Sequence, residues 1–569
     1  MSENRVMVMC LDAFHAPLGD KLIAEGKLPG LKRLKEQSAR FELEHGPDGK
    51  SRYTGLTWEH FSAGLKPEST GRWSVITWDP EEFEARQLNV AEPPFLADLD
   101  VKCALFDPPY WDIDSQTNAV GVVGWSGHDT GCHPTSVPES LMAEIIAKFG
   151  PPPSVAELNT MVYPSVDQTR KMGELLIEGT KHRADIAEWF FAERCTDWDV
   201  AVLGFGEPHD AIELLCHGII DDHMLADHPS AAVAREGLIA SYVELDKQIS
   251  RFMDKFPDCT FVAFTMHGMG FNDTDVPTML LLPELMYRME FEDSLFKSRE
   301  DWKADVVPVL KDGEDWNGAV IGAMVHPPKG MFEALPERAA GKARAVAFKA
   351  LTKVFGEGAG DFLYDKDVMK GEGLQHKSYS VSWMPSAQYA PYWPQMQAFG
   401  VPAYFDGRVR INLEGREKHG NVKLADYHTV LERIKTVLME CVDTRTGEPV
   451  IREMETPGVD DPLALDGTQA DIKILWNESP VGFRHPKYGD IGPAPVRRVG
   501  GHSGGLGALY IMGEGIETGD FGVKSSFDVA PTIVELLGQV RPNRMDGESV
   551  LMKDPVEGGL RPVREVPAE

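Results

Sequence analysis

The feature that most constrains the fold is a short, continuous apolar run near the start of the chain. Residues 5–11 have the sequence RVMVMCL, and Asp12 follows directly. An apolar run of this length without polar alternation is typical of a strand buried on both faces, as in the centre of a parallel sheet. Similar runs occur at 119–123, 200–205, 260–265 and 508–512.

Stretches with helical spacing lie between these apolar runs. Apolar residues recur at helical intervals over 16–37, and Pro29 predicts a break within that stretch. Further helices are predicted at 169–191, at 231–256 and from Val529 onward. Strands that alternate with helices indicate an α/β fold, with a largely parallel sheet covered by helices on both faces.

The segment 301–494 differs from its surroundings, because it is richer in Pro, Lys and Trp and its pattern changes often. Within it, GRVRINL at 407–413 alternates between polar and apolar residues, which predicts a half-exposed strand. The sheet-like pattern resumes after this segment. We therefore interpret 301–494 as a cap inserted into a core formed by 1–300 and 495–554, followed by a flexible tail at 555–569.

The charge of the chain limits its partners. The 569 residues include 57 basic and 89 acidic side chains, for a net charge of −32, while 42% of the residues are hydrophobic. A chain with this balance has ample material for a hydrophobic core. Its negative field disfavours nucleic-acid polymers and anionic membranes as partners. The sequence gives no indication of the oligomeric state.

Cysteine usage and the N-terminus predict a cytoplasmic protein. The seven cysteines are scattered and contain no Cys-x-x-Cys pair, which suits a reducing compartment. The first residues lead into the strand at 5–11 without an apolar signal region. No apolar run approaches the length of a membrane span.

Six residues are candidates for a functional site because they end or follow predicted strands, open a predicted helix or lie in a glycine-rich turn beside a strand. The carboxyl ends of parallel strands meet at one edge of a sheet, which is where α/β proteins place their sites. An imidazole and a carboxylate four residues apart on a helix can also bind one divalent ion. The candidates are Asp12, Thr54, His209, Glu213, His267 and His502.

Each candidate also has a simpler interpretation when taken alone. Asp12 and Thr54 are in positions typical of helix caps. His209 and Glu213 could form an ordinary surface pair, and a histidine in a glycine-rich turn is often only hydrogen-bonded there. His217 extends the stripe of His209 and Glu213 as a weaker candidate.

The order of several motifs resembles the alkaline phosphatase superfamily, in particular its type I phosphodiesterase/nucleotide pyrophosphatase-like branch. The resemblance extends from residue 5 to residue 551 and depends on the collinear order of the motifs. It implies an alkaline phosphatase-like three-layer α/β/α fold with an inserted cap. The motifs are VMCLDAFHAPLGDKLIAEGKLPGLKRLKEQSA, TWEHFSAGLKPESTG, TMHGMG, FDGRVRINLEGRE, GGHSGGLGALYIMGEGI and SSFDVAPTIVELLG.

The resemblance implies a role for each candidate. Thr54, ten residues before Gly64, is similar in place to the nucleophile, and it would share one metal with Asp12 and His267. The second metal would be bound by His502 and by the residues at 209 and 213. The family usually has an Asp and then a His at those two places, so that the two ligand types are exchanged here. The implied cofactor is a divalent metal, zinc first and manganese as the alternative, with one or two ions.

One position departs from the family pattern. Met266 occupies the place of the Asp that normally precedes the turn histidine. A thioether is a poor ligand for a hard or borderline ion, so one metal site lacks a carboxylate. The number of ions therefore stays open.

The predicted function is a metal-dependent hydrolase of small-molecule phosphate esters, of the phosphodiesterase, nucleotide pyrophosphatase or phosphatase type. The alternatives are a catalytically degenerate metal- or ligand-binding protein of the same fold and a sulfate or phosphonate hydrolase. The Cys-x-Pro spacing at Cys132 lacks the Arg of a sulfatase signature. Candidate substrate-binding residues are Arg497, Arg498, Arg408, Arg410, His128 and Asp129.

Overall fold

A computed structural model gives the fold. The structure describes residues 5–45, 56–88, 90, 92–125, 134–153, 165–303, 307–311, 314–325, 378–457, 461–477, 480–502 and 504–551. Three predicted site residues, Thr54, His128 and Asp129, lie outside the described residues, as does the predicted tail at 555–569.

The strands are numbered along the chain. They are β1 (Val6–Leu11), β2 (Ala39–Glu44), β3 (Ile76–Asp79), β4 (Glu84–Leu88), β5 (Cys103–Phe106), β6 (Ala119–Val123), β7 (Thr135–Val137), β8 (Val200–Phe205), β9 (Thr260–His267), β10 (Gly270–Phe271), β11 (Ser378–Ser380), β12 (Ala398–Gly400), β13 (Gly407–Ile411), β14 (Val442–Asp443), β15 (Ile451–Glu455), β16 (Ile472–Trp476), β17 (Phe483–His485), β18 (Gly489–Ile491), β19 (Gly500–Gly501), β20 (Leu506–Met512) and β21 (Gly519–Ser525).

The α-helices are numbered in the same way. They are α1 (Ala16–Ala24), α2 (Pro29–Glu36), α3 (Thr57–Ala63), α4 (Pro67–Thr70), α5 (Ser140–Phe149), α6 (Val166–Trp189), α7 (Glu207–Leu215), α8 (Ala231–Lys255), α9 (Leu282–Phe291), α10 (Trp316–Gly322), α11 (Tyr427–Met439) and α12 (Val529–Leu536).

A nine-stranded, largely parallel sheet organises the molecule, in the order β21-β2-β20-β9-β1-β8-β5-β6-β7. Its centre is the parallel set β9, β1, β8 and β5, whereas β20 and β7 run antiparallel to their neighbours. Helices α1, α2 and α5–α8 cover one face, and α3 and α12 pack on the other. The three-layer α/β/α architecture predicted from the sequence is therefore present.

The predicted elements of the sheet agree closely with those observed. Every residue of β1 is buried, as its apolar composition predicts. The apolar runs at 119–123 and 200–205 form β6 and β8 with the same bounds. The predicted helix at 16–37 is divided into α1 and α2, and Pro29 begins the second helix.

A second hydrophobic core lies within the part of the molecule that contains most of the predicted cap. Its buried members include Trp393, Val409 and Trp476, together with Trp78 and Met279 from before residue 301. The boundaries 301 and 494 stay a prediction.

The exposure predicted for the strand GRVRINL was wrong. All five residues of β13 are buried, although two of them are arginines. Arg408 pairs with Asp406 at 2.7 Å, and Arg410 pairs with Glu417 at 2.6 Å. Because each guanidinium group has a carboxylate partner, its burial does not leave an unpaired charge. Alternation of polar and apolar residues therefore does not mark a solvent-facing side here.

No helix in the described part of the chain combines the length and apolarity needed to cross a membrane.

Candidate metal centre

Three adjacent parallel strands bring the first site residues to one edge of the sheet. Strand β1 lies between β8 and β9, and Asp12, His209 and His267 follow or end these three strands. The register aligns Leu11 with Phe205, and the amide of Asp12 donates to the carbonyl of Phe205 at 2.9 Å. The strand ends are thus level with one another, which places the residues after them side by side.

The turn that carries His502 approaches this edge through glycines. Strand β19 pairs antiparallel with β10, so that Gly501 faces Gly270. A Cβ atom on Gly500 would lie 2.2 Å from the carbonyl oxygen of Ile212 in α7. A Cβ on Gly504 would lie 2.2 Å from backbone atoms of the turn after His267. Because glycine has no side chain, three backbone segments can meet here.

His209, Glu213 and His502 form a cluster that we call the triad. One ligand atom from each of them lies within 4.8 Å of the others. His209 and Glu213 are one helical turn apart in α7, with Nε2 and Oε1 3.3 Å apart. The ring centroids of His209 and His502 are 4.8 Å apart. Two imidazoles and a carboxylate are the donor set of many catalytic zinc sites, where a fourth position stays open.

Asp12 contacts the triad through His209. Its Oδ2 lies 3.4 Å from Nδ1 of His209, on the ring nitrogen opposite the one that faces Glu213. Its Oδ1 accepts a hydrogen bond from the indole Nε1 of Trp58 at 2.5 Å. Trp58 belongs to α3 on the far face of the sheet, so α3 is tied to the end of β1.

The buried charges of the triad depend on one another. Burial alone would lower the pKa of His209, but the carboxylates of Glu213 and Asp12 raise it well above its ordinary value. Burial alone would raise the pKa of Glu213, but Arg498 and then His209 hold it well below. Burial, reinforced by His209 and His267, lowers the pKa of His502 well below its ordinary range. These directions favour an anionic Glu213, a neutral His502 and a protonated His209, so a metal ion that binds to the triad would displace the proton of His209.

Two arginines and several aromatic side chains border the triad. Arg498 forms an ion pair with Glu213, and Arg497 pairs with Asp275 at 2.8 Å. The Phe405 ring meets the His502 ring edge to face at a centroid distance of 4.6 Å. The guanidinium of Arg497 lies 5.3 Å from the ring centroid of Trp383. The segment 383–405 of the predicted cap therefore contacts the triad region directly.

The structure brings together five of the six predicted metal-centre residues. The ring of His267 lies 5.0 Å from that of His502 between centroids, although His267 is outside the triad. Thr54 lies outside the described residues, but Trp58, four residues later, contacts Asp12. The ligand and nucleophile roles of all six residues stay predictions.

Other sequence-predicted residues lie in different surroundings. Arg408 and Arg410 are enclosed in ion pairs within the cap region, so no contact in the described residues supports their predicted binding of substrate. His217 lies outside the triad. Its Nε2 contacts Ser230 Oγ at 2.9 Å.

Trp58 and Phe405 contact the site but were not among the residues predicted from the sequence. Trp58 reads as an apolar residue of an amphipathic helix, and nothing in its spacing indicates that its N–H reaches Asp12. Phe405 comes from the predicted cap, and its position depends on the folding of that region. The motif FDGRVRINLEGRE, which begins at Phe405, was nevertheless part of the resemblance.

Comparison with known proteins gives likenesses of structure alone. No protein-family model matches the chain, and no curated protein sequence matches it. Phosphonoacetate hydrolase from Sinorhizobium meliloti, in complex with phosphonoacetate, is 11% identical with a TM-score of 0.43, covering 94% of this chain and 95% of that one.

Two further solved structures are similar to the same degree. An inactive variant of murine ectonucleotide pyrophosphatase/phosphodiesterase 5, in complex with AMP, is 10% identical with a TM-score of 0.41, covering 95% of this chain and 96% of that one. A mutant of the alkaline phosphatase PafA is 11% identical with a TM-score of 0.42, covering 96% of this chain and 98% of that one. At these values the likenesses say nothing about activity. All three proteins are members of the alkaline phosphatase superfamily, the family that the sequence motifs of this chain resemble.

Proposed function

We propose that this protein is a metal-dependent hydrolase of small phosphate esters, with Thr54 as its nucleophile. The observation that carries the proposal is the triad of His209, Glu213 and His502 at the carboxyl edge of the central strands. Zinc is the proposed ion and manganese the alternative.

The triad suits a divalent ion by the chemistry of its donors. Imidazole nitrogen and carboxylate oxygen are common zinc ligands, and three protein ligands leave a coordination position for substrate or water. When bound, such an ion supplies positive charge that stabilises the negatively charged oxygens of phosphoryl transfer. The contact between Asp12 and His209 Nδ1 fixes the orientation of the ring, as carboxylate partners do in many metal sites.

The chain's own residues supply the rest of the reaction. In the proposed reaction, the Thr54 hydroxyl loses its proton to solvent, and its oxygen attacks phosphorus while the bond to the leaving group breaks. Water then cleaves the phosphothreonine and regenerates the hydroxyl. Arg498 lies beside Glu213 and brings a positive charge that an anionic phosphoryl group requires.

The predicted cap is proposed to select the substrate. Phe405 contacts His502, and Trp383 lies against Arg497, so half-buried aromatic rings border the place where a leaving group would lie. Phe405→Ala is expected to raise KM for aryl phosphates by a factor of about 2–12 while changing kcat less, because one aromatic contact contributes about 0.5–1.5 kcal/mol. Steady-state kinetics with aryl and alkyl phosphates measure this. An equal loss for both would contradict an aromatic subsite.

A substrate panel with controlled metal content tests the proposed function. Purified protein is assayed with aryl phosphate monoesters and diesters, a dinucleotide, an aryl sulfate and a phosphonate, before and after chelation. We expect phosphate ester hydrolysis that chelation removes and that added zinc or manganese restores. The matched control is His217→Gln, which removes a buried histidine outside the triad.

The other outcomes identify the alternatives. Metal binding without turnover of any ester would indicate a degenerate binding protein. Turnover of the sulfate or the phosphonate in preference to phosphate esters would assign the protein to those substrates. Hydrolysis that persists unchanged in metal-free protein would contradict the proposal.

A further inference from the structure

The carboxylate of Asp12 lies between the triad and the hydrophobic layer that contains Trp58. Its Oδ1 accepts the indole N–H of Trp58 at 2.5 Å, and its Oδ2 lies 3.4 Å from His209 Nδ1. Both carboxylate oxygens therefore contact protein groups. Asp12 is also 2% exposed, so that the two contacts are made in a buried, weakly screened environment.

Met266 lies on the same side of the sheet as Trp58. Its side chain is 2% exposed and belongs to the hydrophobic cluster that includes Trp58, Phe264 and Leu509. Because side chains alternate along β9, Met266 and Phe264 face α3, whereas His267 faces the opposite way. The carboxylate that a second ion would require at position 266 is thus replaced by a side chain packed into the core.

The charge near the triad also suits a single ion. Asp12 and Glu213 bring two negative charges to His209, and Arg498, which also interacts with Asp210 and Asp275, offsets part of this charge. Two dications about 4 Å apart repel each other strongly in a buried site, and they need several anionic ligands to hold them.

We propose that the centre holds one divalent ion, bound by His209, Glu213 and His502, and that Asp12 is a positioning residue for His209 rather than a metal ligand. Trp58 and Met266 take the place of the second ion, because the indole N–H donates a hydrogen bond to one oxygen of Asp12 and the thioether at position 266 packs into the hydrophobic cluster with Trp58. This inference rests on the metal site of the proposed function, and it specifies how many ions that site takes and what each residue does.

The number of ions per chain is measured without substrate. Metal-free protein is titrated with Zn²⁺ by calorimetry, and the retained zinc is counted by elemental analysis after dialysis. Co²⁺ absorption gives a second count. We expect saturation at one ion per chain. Saturation at two ions, or no binding at all, would overturn the proposal.

Variants separate ligands from positioning residues. His502→Ala is expected to abolish the ion, whereas His267→Ala is expected to retain one ion per chain. Asp12→Asn is expected to keep one ion and weaken its affinity about 10–100-fold, the usual cost of losing a carboxylate that orients a ligating histidine. Loss of the ion in His267→Ala would overturn the assignment. Circular dichroism and the melting temperature verify that each variant is folded.

A gain-of-site variant tests the roles of Trp58 and Met266. Met266→Asp combined with Trp58→Phe restores a carboxylate and removes the indole N–H, so it is expected to bind two ions per chain. A count that stays at one would overturn the assignment of these two side chains as the groups that exclude the second ion. Met266→Leu is the matched control and is expected to bind one ion.

These counts are independent of catalysis. One ion per chain in a protein that hydrolyses no phosphate ester would contradict the proposed function and leave the one-ion centre intact. Hydrolysis of phosphate esters by a protein that binds two ions per chain would support the proposed function and overturn the one-ion centre.

Discussion

The half of the centre formed by His209, Glu213 and His502 brings imidazole and carboxylate groups together, whereas the half around Asp12 merges into the hydrophobic core beneath α3. In the first half, an ion pair and closely packed backbone hold the polar groups in place. In the second half, the indole of Trp58 contacts Asp12, and a thioether lies where the resemblance implies a carboxylate.

The difference shows that one sheet edge can present polar groups and core groups side by side. Side chains alternate along a strand, so neighbouring residues of β9 face opposite layers of the fold. Met266 packs with the α3 layer, while His267 faces the side of α7. A single substitution at such a strand end can therefore exchange a ligand for a core residue without altering the backbone.

The largest expected effect concerns the proposed nucleophile Thr54, which the resemblance assigns to the same metal as Asp12. Thr54→Ala is expected to reduce kcat for phosphate esters more than about 1,000-fold, because removal of a nucleophile eliminates the covalent route. Single-turnover kinetics with a trapped phosphothreonine in the wild type provide the measurement, and Thr57→Ser is the control. Retention of more than about a tenth of the rate would indicate that water attacks directly, and the chemistry would then belong to the triad half alone.

The next prediction concerns the backbone of the polar half, in the turn that carries His502. Gly500→Ala places a Cβ 2.2 Å from the Ile212 carbonyl and 2.9 Å from Glu213 Cα, so the turn that carries His502 must move away from α7. We expect the affinity for zinc to fall about 100-fold and the free energy of unfolding to fall by about 1–3 kcal/mol, the usual cost of overpacking.

Gly505→Ala is a matched control for that substitution. It lies in the same turn, but a Cβ there would meet nothing within 4 Å. We expect zinc affinity and stability close to those of the wild type. If both alanine variants lose the metal equally, the close approach of the turn to α7 is not what positions His502.

The sequence predicts the fold and the polar half better than it predicts the Asp12 half. Runs such as 5–11 and 200–205 specify central strands by composition alone, and the parallel order then brings Asp12, His209 and His267 to one edge. The contact of Trp58 with Asp12 joins residues 46 positions apart, on a helix whose spacing reads as ordinary core packing. The burial of Arg408 and Arg410 in β13 was not predicted, because it depends on ion pairs with Asp406 and Glu417 that the alternation along the strand does not reveal.

A smaller expected effect is a dependence of the free energy of unfolding on pH, which arises from His217, a buried histidine near the polar half. His223 Nε2 donates to the carbonyl of Val499 at 2.9 Å, which ties α8's neighbouring loop to the turn before His502. The ring of His217 lies 6.0 Å from that of His223 between centroids. Burial, followed by the nearby His223 and His228, lowers the pKa of His217 to about 3.

The sign of this effect follows from the neutral state of His217 in the fold. Its folded pKa lies below the unfolded value of about 6.5, so its stabilisation is complete above that pH and is lost as pH falls towards 3. From about pH 7 to pH 5, the loss is about 2 kcal/mol. Urea unfolding at several pH values measures it. His217→Gln should be less stable at pH 7 but should depend less on pH, and an unchanged pH dependence would contradict the assignment.

The smallest expected effect distinguishes packing from ligation at Met266. Met266→Leu preserves an apolar side chain of similar size, so we expect one bound ion, a kcat within about twofold of wild type and a stability change below about 1.5 kcal/mol. Met266→Asp alone should cost several kcal/mol, because it buries a carboxylate among Trp58, Phe264 and Leu509 without a partner of its own. Chemical unfolding of both metal-free proteins separates these costs from any gain in metal binding. If Met266→Leu loses the ion while it remains folded, the sulfur itself contributes to the centre, and the division into a polar half and a core half is wrong.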